Sequence, residues 1–376
     1  MPLQPQEDTT VASNATLQQT APALPVEKDP DILAAASRLS GEDLCSIADL
    51  SSAEVRAILK LGHDVKRDPR AYRWALDAKQ MVLMFEKASL RTRLSFETGI
   101  NTLGGNAIFV DQTNSPLGER ESIADVAKNL ERWIDVIVLR TYAHDTITEM
   151  AANSRVPVVN ALSDFEHPCQ ALADFMTLEE HFGTAKGVNF TSVGDGNNVC
   201  HSLMLTGAQL GSNVTVATPR GYSPDIEIVT RAREIAEVNG CEIRLTQDPL
   251  AAAENADAIY TDVCVSMGME HESTKREPIF RPFQVNEKLM AQAKPTAVFM
   301  HCLPARRNAE VTDEVLDGPQ SIVFDQAENR LHAEKALLLL LLGGLSNVEK
   351  FQVVKDQGSV LRSTMTPGSF QTKVTQ

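Results

Sequence analysis

Positive charge is in deficit, no two cysteines stand at a CxxC spacing, and no apolar run is long enough to cross a bilayer. The chain of 376 residues carries 35 Lys and Arg against 50 Asp and Glu, a net charge of −15. Such a surface repels nucleic acid and anionic membranes at long range, so neither is an expected partner. An anionic ligand must then be drawn in by a local cluster of positive groups. The longest apolar run, Ala336–Leu342, is too short for a membrane span, and no basic segment followed by an apolar one opens the chain. The six cysteines (Cys45, Cys169, Cys200, Cys241, Cys264, Cys302) are scattered, which points to reduced thiols and a cytoplasmic setting. There is no nucleophilic triad and no His, Asp and Glu pattern at a dependable metal-ligand spacing, so the chemistry implied is positioning and charge stabilisation.

What is present is a two-domain length with globular proportions, 43% hydrophobic and 23% charged. Residues 1–30 hold five prolines and no arginine, with Glu7, Asp8, Glu27 and Asp29, which disfavours a mitochondrial transit peptide and reads as a flexible tail. Residues 347–376 read as a second tail. Between them, short β-rich runs alternate with longer helical patterns: Met81–Phe85, Ala107–Val110, Val136–Leu139, Val156–Asn160, Phe190–Val193, Val214–Ala217, Glu242–Leu245, Ala258–Tyr260, Ala297–Met300 and Ile322–Phe324. The alternation predicts an α/β fold of two domains, each a parallel β-sheet flanked by helices. The expected division is 31–164, 165–327, and a late helix over 328–346 that packs back on the first domain, with the site in the cleft between them. In parallel sheets ligands bind beyond the carboxyl ends of the strands, and the chemistry-bearing segments follow these runs.

After Phe85, Ser89-Leu90-Arg91-Thr92-Arg93 looks like a capped helix start, where free N–H groups and two guanidinium groups suit a compact dianion. The plain alternative is a capped helix with solvated arginines. His167-Pro168-Cys169-Gln170 opens another helix, and His167 and Gln170 on one face can address a carbonyl oxygen and an amide; a structural histidine is the alternative. Gly194–Val199 follows a strand as a dinucleotide-binding turn does, which keeps a nicotinamide oxidoreductase open. Val199 stands where the third glycine belongs, however, and the next strand ends at Ala217-Thr218-Pro219-Arg220 with no acid for a ribose. A tight turn presenting the Asn198 amide is the better reading. Asp262 to Gly268 ends a strand with an acid, the Ser266 hydroxyl and a flexible glycine, able to grip an ammonium and a carboxylate, or else forms an ordinary loop. His301-Cys302-Leu303-Pro304 places a thiol at a strand end, either poised beside charged groups or buried as a small apolar residue.

Taken in order, SxRTR, HPxQ, DxxxSMG and HCLP resemble the ornithine carbamoyltransferase family from about Leu39 to Leu345. The resemblance implies transfer of the carbamoyl group of carbamoyl phosphate to the δ-amine of L-ornithine, giving L-citrulline and phosphate without metal or organic cofactor, a step of arginine biosynthesis, by a homotrimer or a multiple of trimers. By resemblance, Ser89, Leu90, Arg91, Thr92, Arg93 and Arg140 hold the phosphate, while His167, Thr92 and Arg140 polarise the carbonyl oxygen. Gln170 and the Leu303 carbonyl address the carbamoyl NH₂. Asn198, Asp262, Ser266 and Met267 hold the amino-acid end of ornithine, with Cys302 near its δ-amine and Arg330 near the reacting groups. The intact Ser266-Met267-Gly268 favours ornithine over acylornithine, putrescine or aspartate as the acceptor.

Overall fold

A computed structural model gives the fold and describes residues 29–264 and 272–348. Helices α1 (Pro30–Leu39) and α2 (Ser52–Arg67) come first, followed by β1 (Gln80–Phe85), α3 (Leu90–Thr102), β2 (Asn106–Asp111), α4 (Ile123–Leu130), β3 (Val136–Arg140), α5 (His144–Asn153) and β4 (Val158–Leu162). Then come α6 (Pro168–Phe182), β5 (Asn189–Val193), α7 (Asn198–Leu210), β6 (Asn213–Ala217), α8 (Ile226–Asn239), β7 (Ile243–Thr246), α9 (Pro249–Ala253) and β8 (Ala258–Thr261). The order closes with α10 (Ser273–Phe280), α11 (Glu287–Met290), β9 (Val298–His301), α12 (Asp313–Leu316) and α13 (Val323–Leu341).

The strands form two all-parallel sheets, β2-β1-β3-β4 and β7-β6-β5-β8-β9, as the alternation predicts. Every residue of β3 and β4 is buried, which is why these strands read as predominantly apolar runs, broken only by Arg140 and Asn160, rather than as alternating ones. Helix starts are set locally. Ser51 and Glu54 cap each other's backbone at α2, and the Ser89 hydroxyl accepts from the Thr92 N–H at α3.

Two expectations about the late chain change. Ile322–Phe324 is not a strand: Ser321 makes a single parallel bridge to Phe299, and α13 then begins at Val323, five residues earlier than expected. Its run of Ala, Glu, Lys and Leu favours a helix, and Phe324 is left exposed to solvent. Helix α13 packs against α6, α2 and α3, so it returns across the first sheet's helical layer. The expected tails lie almost wholly outside the described residues, although Asp29 caps α1 through the Asp31 and Ile32 N–H groups.

Candidate active site

Strand order reverses in each sheet, between β1 and β3 in one and between β5 and β8 in the other. A crevice opens where connections leave a parallel sheet in opposite directions, and here both crevices face one cavity of about 400 Å³. Its lining draws on Ser89, Leu90, Arg91 and Thr92 after β1, Arg140 at the end of β3, His167 and Gln170 on α6, Asn198 on α7, Asp262 after β8, Cys302 and Leu303 after β9, and Arg330 on α13.

Arg93 is not among them. Its guanidinium pairs with Glu97 at 2.8 Å and stacks 3.8 Å over the Phe109 ring, on the outward face of α3. With 3.6 residues per turn, Arg91 and Arg93 point some 200° apart, so one helix start cannot aim both at one ligand. Ser266 and Met267 lie outside the described residues.

The electrostatics of the cavity are one-sided. Arg140 is buried, and burial first and Arg330 second push its pKa down to about 9; its Nε has no hydrogen-bond partner among the described residues. Burial also lowers Arg91. His167 is held well below the ordinary imidazole value by burial and by Arg330, Arg140 and Arg91, so it is neutral at pH 7, and its Nδ1 is likewise unpartnered among the described residues. Arg330, by contrast, is compensated. It donates to Glu334 (2.8 and 3.1 Å), to the Gln170 Oε1 (2.6 Å) and to the Thr92 Oγ1 (3.1 Å), all in the interior. A desolvated set of guanidinium groups beside a neutral imidazole is complementary to a small dianion carrying a polarisable carbonyl.

The other wall is built from the second sheet. The Asp262 carboxylate accepts from the Asn197 Nδ2 at 2.8 Å and from the Cys302 thiol at 3.0 Å. Burial and the adjacent Asp262 push the Cys302 thiol well up, so it is a protonated donor. Burial beside a carboxylate thus favours the thiol over the thiolate at this position. Asn198 donates from Nδ2 to the Ser163 carbonyl at 2.6 Å, which holds its amide at the cavity wall. Leu303 has φ 57°, a left-handed conformation uncommon for a branched residue, at the turn beyond β9.

Asp262, His301 and Cys302 offer atoms within 4.8 Å of one another, close enough for a metal. The fit is poor. His301 Nδ1 accepts the Leu303 N–H and its Nε2 faces Glu310, so neither nitrogen has a lone pair to give. The Gly194–Val199 turn is equally committed. The Gly196 N–H donates to the Tyr222 carbonyl, and a Cβ at Gly196 would lie 2.2 Å from the Pro224 nitrogen, so the covering segment takes the space a pyrophosphate needs.

Sequence reasoning missed four groups. Lys87 and Arg306 line the cavity, and Lys87 adjoins the Ser89–Thr92 turn that did stand out. Glu86, also buried, accepts from the Leu117 and Tyr142 N–H groups and so ties together the loops after β1, β2 and β3. Asp174, one turn beyond Gln170, accepts from the Gln170 amide. The i, i+4 spacing was the available signal for that last contact.

Comparison with known proteins agrees with this arrangement. Residues 42–180 match the family model for the aspartate/ornithine carbamoyltransferase carbamoyl-P binding domain, and residues 186–341 match that for the Asp/Orn binding domain. An ornithine carbamoyltransferase of Pyrococcus horikoshii is 49% identical over 310 residues, 82% of this chain and 98% of that one. An anabolic ornithine carbamoyltransferase of Pyrococcus furiosus is 48% identical over the same shares. The solved ornithine carbamoyltransferase structure from Pyrococcus furiosus superposes with a TM-score of 0.79, covering 81% of this chain and 98% of that one at 48% identity. A mitochondrial ornithine carbamoyltransferase from Coccidioides immitis gives 0.74 at 36% identity, over 81% and 98%. With both halves matched in order and the relatives covered almost end to end, the chain belongs to the aspartate/ornithine carbamoyltransferase family.

Proposed function

We propose that this chain transfers the carbamoyl group of carbamoyl phosphate to the δ-amine of L-ornithine, releasing L-citrulline and phosphate. The observation that carries the reading is the pairing of buried nitrogens at Arg140 and His167, unpartnered among the described residues, with an acid, Asp262, on the facing wall of one cavity. In this reading residues 31–164 take carbamoyl phosphate and residues 165–327 take ornithine. The N–H groups at the start of α3, with Ser89, Leu90, Arg91 and Thr92, hold the phosphate, and Arg140 spans phosphate and carbonyl oxygen. His167 is neutral, so it can donate one N–H to the carbonyl oxygen, as does the Thr92 hydroxyl. The Gln170 and Leu303 carbonyl oxygens accept from the carbamoyl NH₂.

The α-ammonium of ornithine pairs with Asp262 and its carboxylate lies near Asn198 and the Ser266–Met267 segment. The δ-nitrogen sits near Cys302, whose proton is already committed to Asp262. The deprotonated δ-amine attacks the carbamoyl carbon, and negative charge builds on the carbonyl oxygen. The carbon–oxygen bond to phosphate then breaks, phosphate leaves with the electron pair, and the surplus proton of the new C–N bond passes to phosphate. One well-aimed donor on such an oxyanion is worth about 2.7–4 kcal/mol. Arg330 acts near the reacting groups through Gln170 and Thr92.

Self-association as a homotrimer belongs to the same reading. It is supported by exposed Leu90 and Leu94 on α3 and exposed Ile108 on the edge strand β2; light scattering reporting an active monomer would refute it. Six free thiols fit a cytoplasmic setting, and among the described residues no helix is long and apolar enough to cross a membrane. The direct test is citrulline formation from carbamoyl phosphate, with ornithine compared against acetylornithine, putrescine and aspartate.

A further inference from the structure

Asp174 is fully buried on α6, one turn past Gln170, and belongs to none of the four sequence segments that mark the site. Its Oδ1 accepts from two side-chain amides, the Gln170 Nε2 at 2.7 Å and the Gln326 Nε2 at 2.7 Å. Gln326, on α13, in turn accepts the His301 backbone N–H at 2.9 Å, one residue before Cys302. At its other end the Gln170 Oε1 accepts from Arg330 at 2.6 Å. The chain His301–Gln326–Asp174–Gln170–Arg330–Thr92 thus runs beneath the cavity from the end of β9 to the start of α3.

An amide presents a donor at one end and an acceptor at the other, and turning it over exchanges them. A carboxyl oxygen that accepts from the Gln170 nitrogen leaves only the carbonyl end to face Arg330 and the cavity. That oxygen keeps a second lone pair for a ligand N–H. We propose that Asp174 is a positioning residue that fixes the Gln170 carbonyl towards the cavity, and that the site thereby selects a carbamoyl group over an acyl group with no N–H to give. The inference rests on the reading that Gln170 addresses the carbamoyl NH₂.

The device needs an acceptor rather than a charge. Burial pushes Asp174 up to about 7, with the Gln170 and Gln326 amides, the Tyr260 hydroxyl and Arg330 facing it from α6, α13 and β8. A proton on its second oxygen leaves the bonds at Oδ1 in place. Asp174→Asn should therefore keep the arrangement, whereas Asp174→Leu removes the acceptor and leaves two amide groups unmatched.

The test uses the full chain and two probes, carbamoyl phosphate and acetyl phosphate, which share phosphate and carbonyl and differ by NH₂ against CH₃. The quantity read is the ratio of their dissociation constants from calorimetry. Asp174→Leu should lower the preference for carbamoyl phosphate by about tenfold or more, and Asp174→Asn should keep it within about threefold. If Asp174→Leu weakens both probes equally with the ratio unchanged, Asp174 is only structural and the proposal fails. Gln170→Leu separates the two readings. If it leaves the ratio unchanged, Gln170 does not read the NH₂ and the underlying reading fails; if it collapses the ratio while Asp174→Leu does not, only the positioning role is lost. Should Asp174→Leu not fold, Asp174→Ala carries the same expectation. In the wild type, the Gln170 side-chain amide protons, assigned by their loss in Gln170→Leu, should exchange with solvent far more slowly than those of an exposed glutamine. Fast exchange overturns the proposal by itself.

Discussion

Replacing Arg330 with methionine keeps an unbranched stem but removes the guanidinium and its charge, which exposes how the interior around the site is balanced. Four hydrogen bonds are lost: two to Glu334, one to Gln170 and one to Thr92. Glu334 is fully buried, and burial raises it from 4.5 to about 7 even with Arg330 beside it to lower it. A raised carboxyl pKa means that folding favours the protonated form, so Glu334 is best tolerated at low pH and costs stability as pH rises through about 7. A shift of that size corresponds to about 3 kcal/mol above pH 7. Removing its cation raises the folded value further. Breaking a buried pair by deleting one partner typically costs about 3–5 kcal/mol. We therefore expect Arg330→Met to lose about 3–5 kcal/mol at pH 8 in urea unfolding followed by circular dichroism, with a visibly smaller loss at pH 6. Arg330→Met combined with Glu334→Gln should recover most of it at pH 8. A loss that is the same at both pH values, or one below about 1 kcal/mol at pH 8, refutes this account of the interior. In surviving Arg330→Met protein, turnover should fall by at least about a hundredfold, because Gln170 and Thr92 lose their shared anchor.

The remaining predictions address the two walls of the cavity. Arg91→Lys should weaken carbamoyl phosphate binding more than ornithine binding, because an ammonium lacks the two-pronged guanidinium geometry; calorimetry showing unchanged carbamoyl phosphate affinity rejects the assignment. Asp262→Ala should lower kcat/KM for ornithine by about tenfold to a hundredfold while carbamoyl phosphate affinity falls much less, as measured by steady-state kinetics and calorimetry. His167 should stay neutral down to well below pH 6.5 in nuclear magnetic resonance titrations. Its depressed pKa means that its contribution to stability is present above the unfolded value of 6.5 and is lost as pH falls towards the folded one, so His167→Gln should flatten the acid side of the stability curve. Cys302, held as a protonated thiol against Asp262, should alkylate with iodoacetamide at pH 8 more slowly than a free thiol; fast labelling contradicts the hydrogen bond.

The two parallel sheets were legible in the sequence because strands covered on both faces are dominated by apolar residues, as β3 and β4 are apart from Arg140 and Asn160. Site segments could be placed because loops at the carboxyl ends of such strands carry the polar groups. What could not be read is orientation. The spacing of Arg91 and Arg93 alone does not say which of them turns inward, and Glu97 and Phe109 decide it by holding Arg93 outside. Ile322–Phe324 has strand composition, yet the helix-forming residues after it extend α13 back to Val323. From sequence Cys302 could be either a thiol poised beside charged groups or a small apolar residue, and only its depth and its contact with Asp262 favour the protonated thiol. The spacing of Asp174 from Gln170 was there to be read, but its contact with Gln326 was not, because 152 residues separate the two.

The central claim is that the cavity between the two sheets joins a carbamoyl group to the δ-amine of ornithine. Colorimetric citrulline measurement with carbamoyl phosphate and each of ornithine, acetylornithine, putrescine and aspartate tests it most directly. The account predicts citrulline from ornithine with kcat/KM well above that for any of the other three amines. A preference for putrescine or acetylornithine would contradict the substrate assignment and leave carbamoyl transfer standing, and no carbamoylated product from any of the four would contradict the claim altogether.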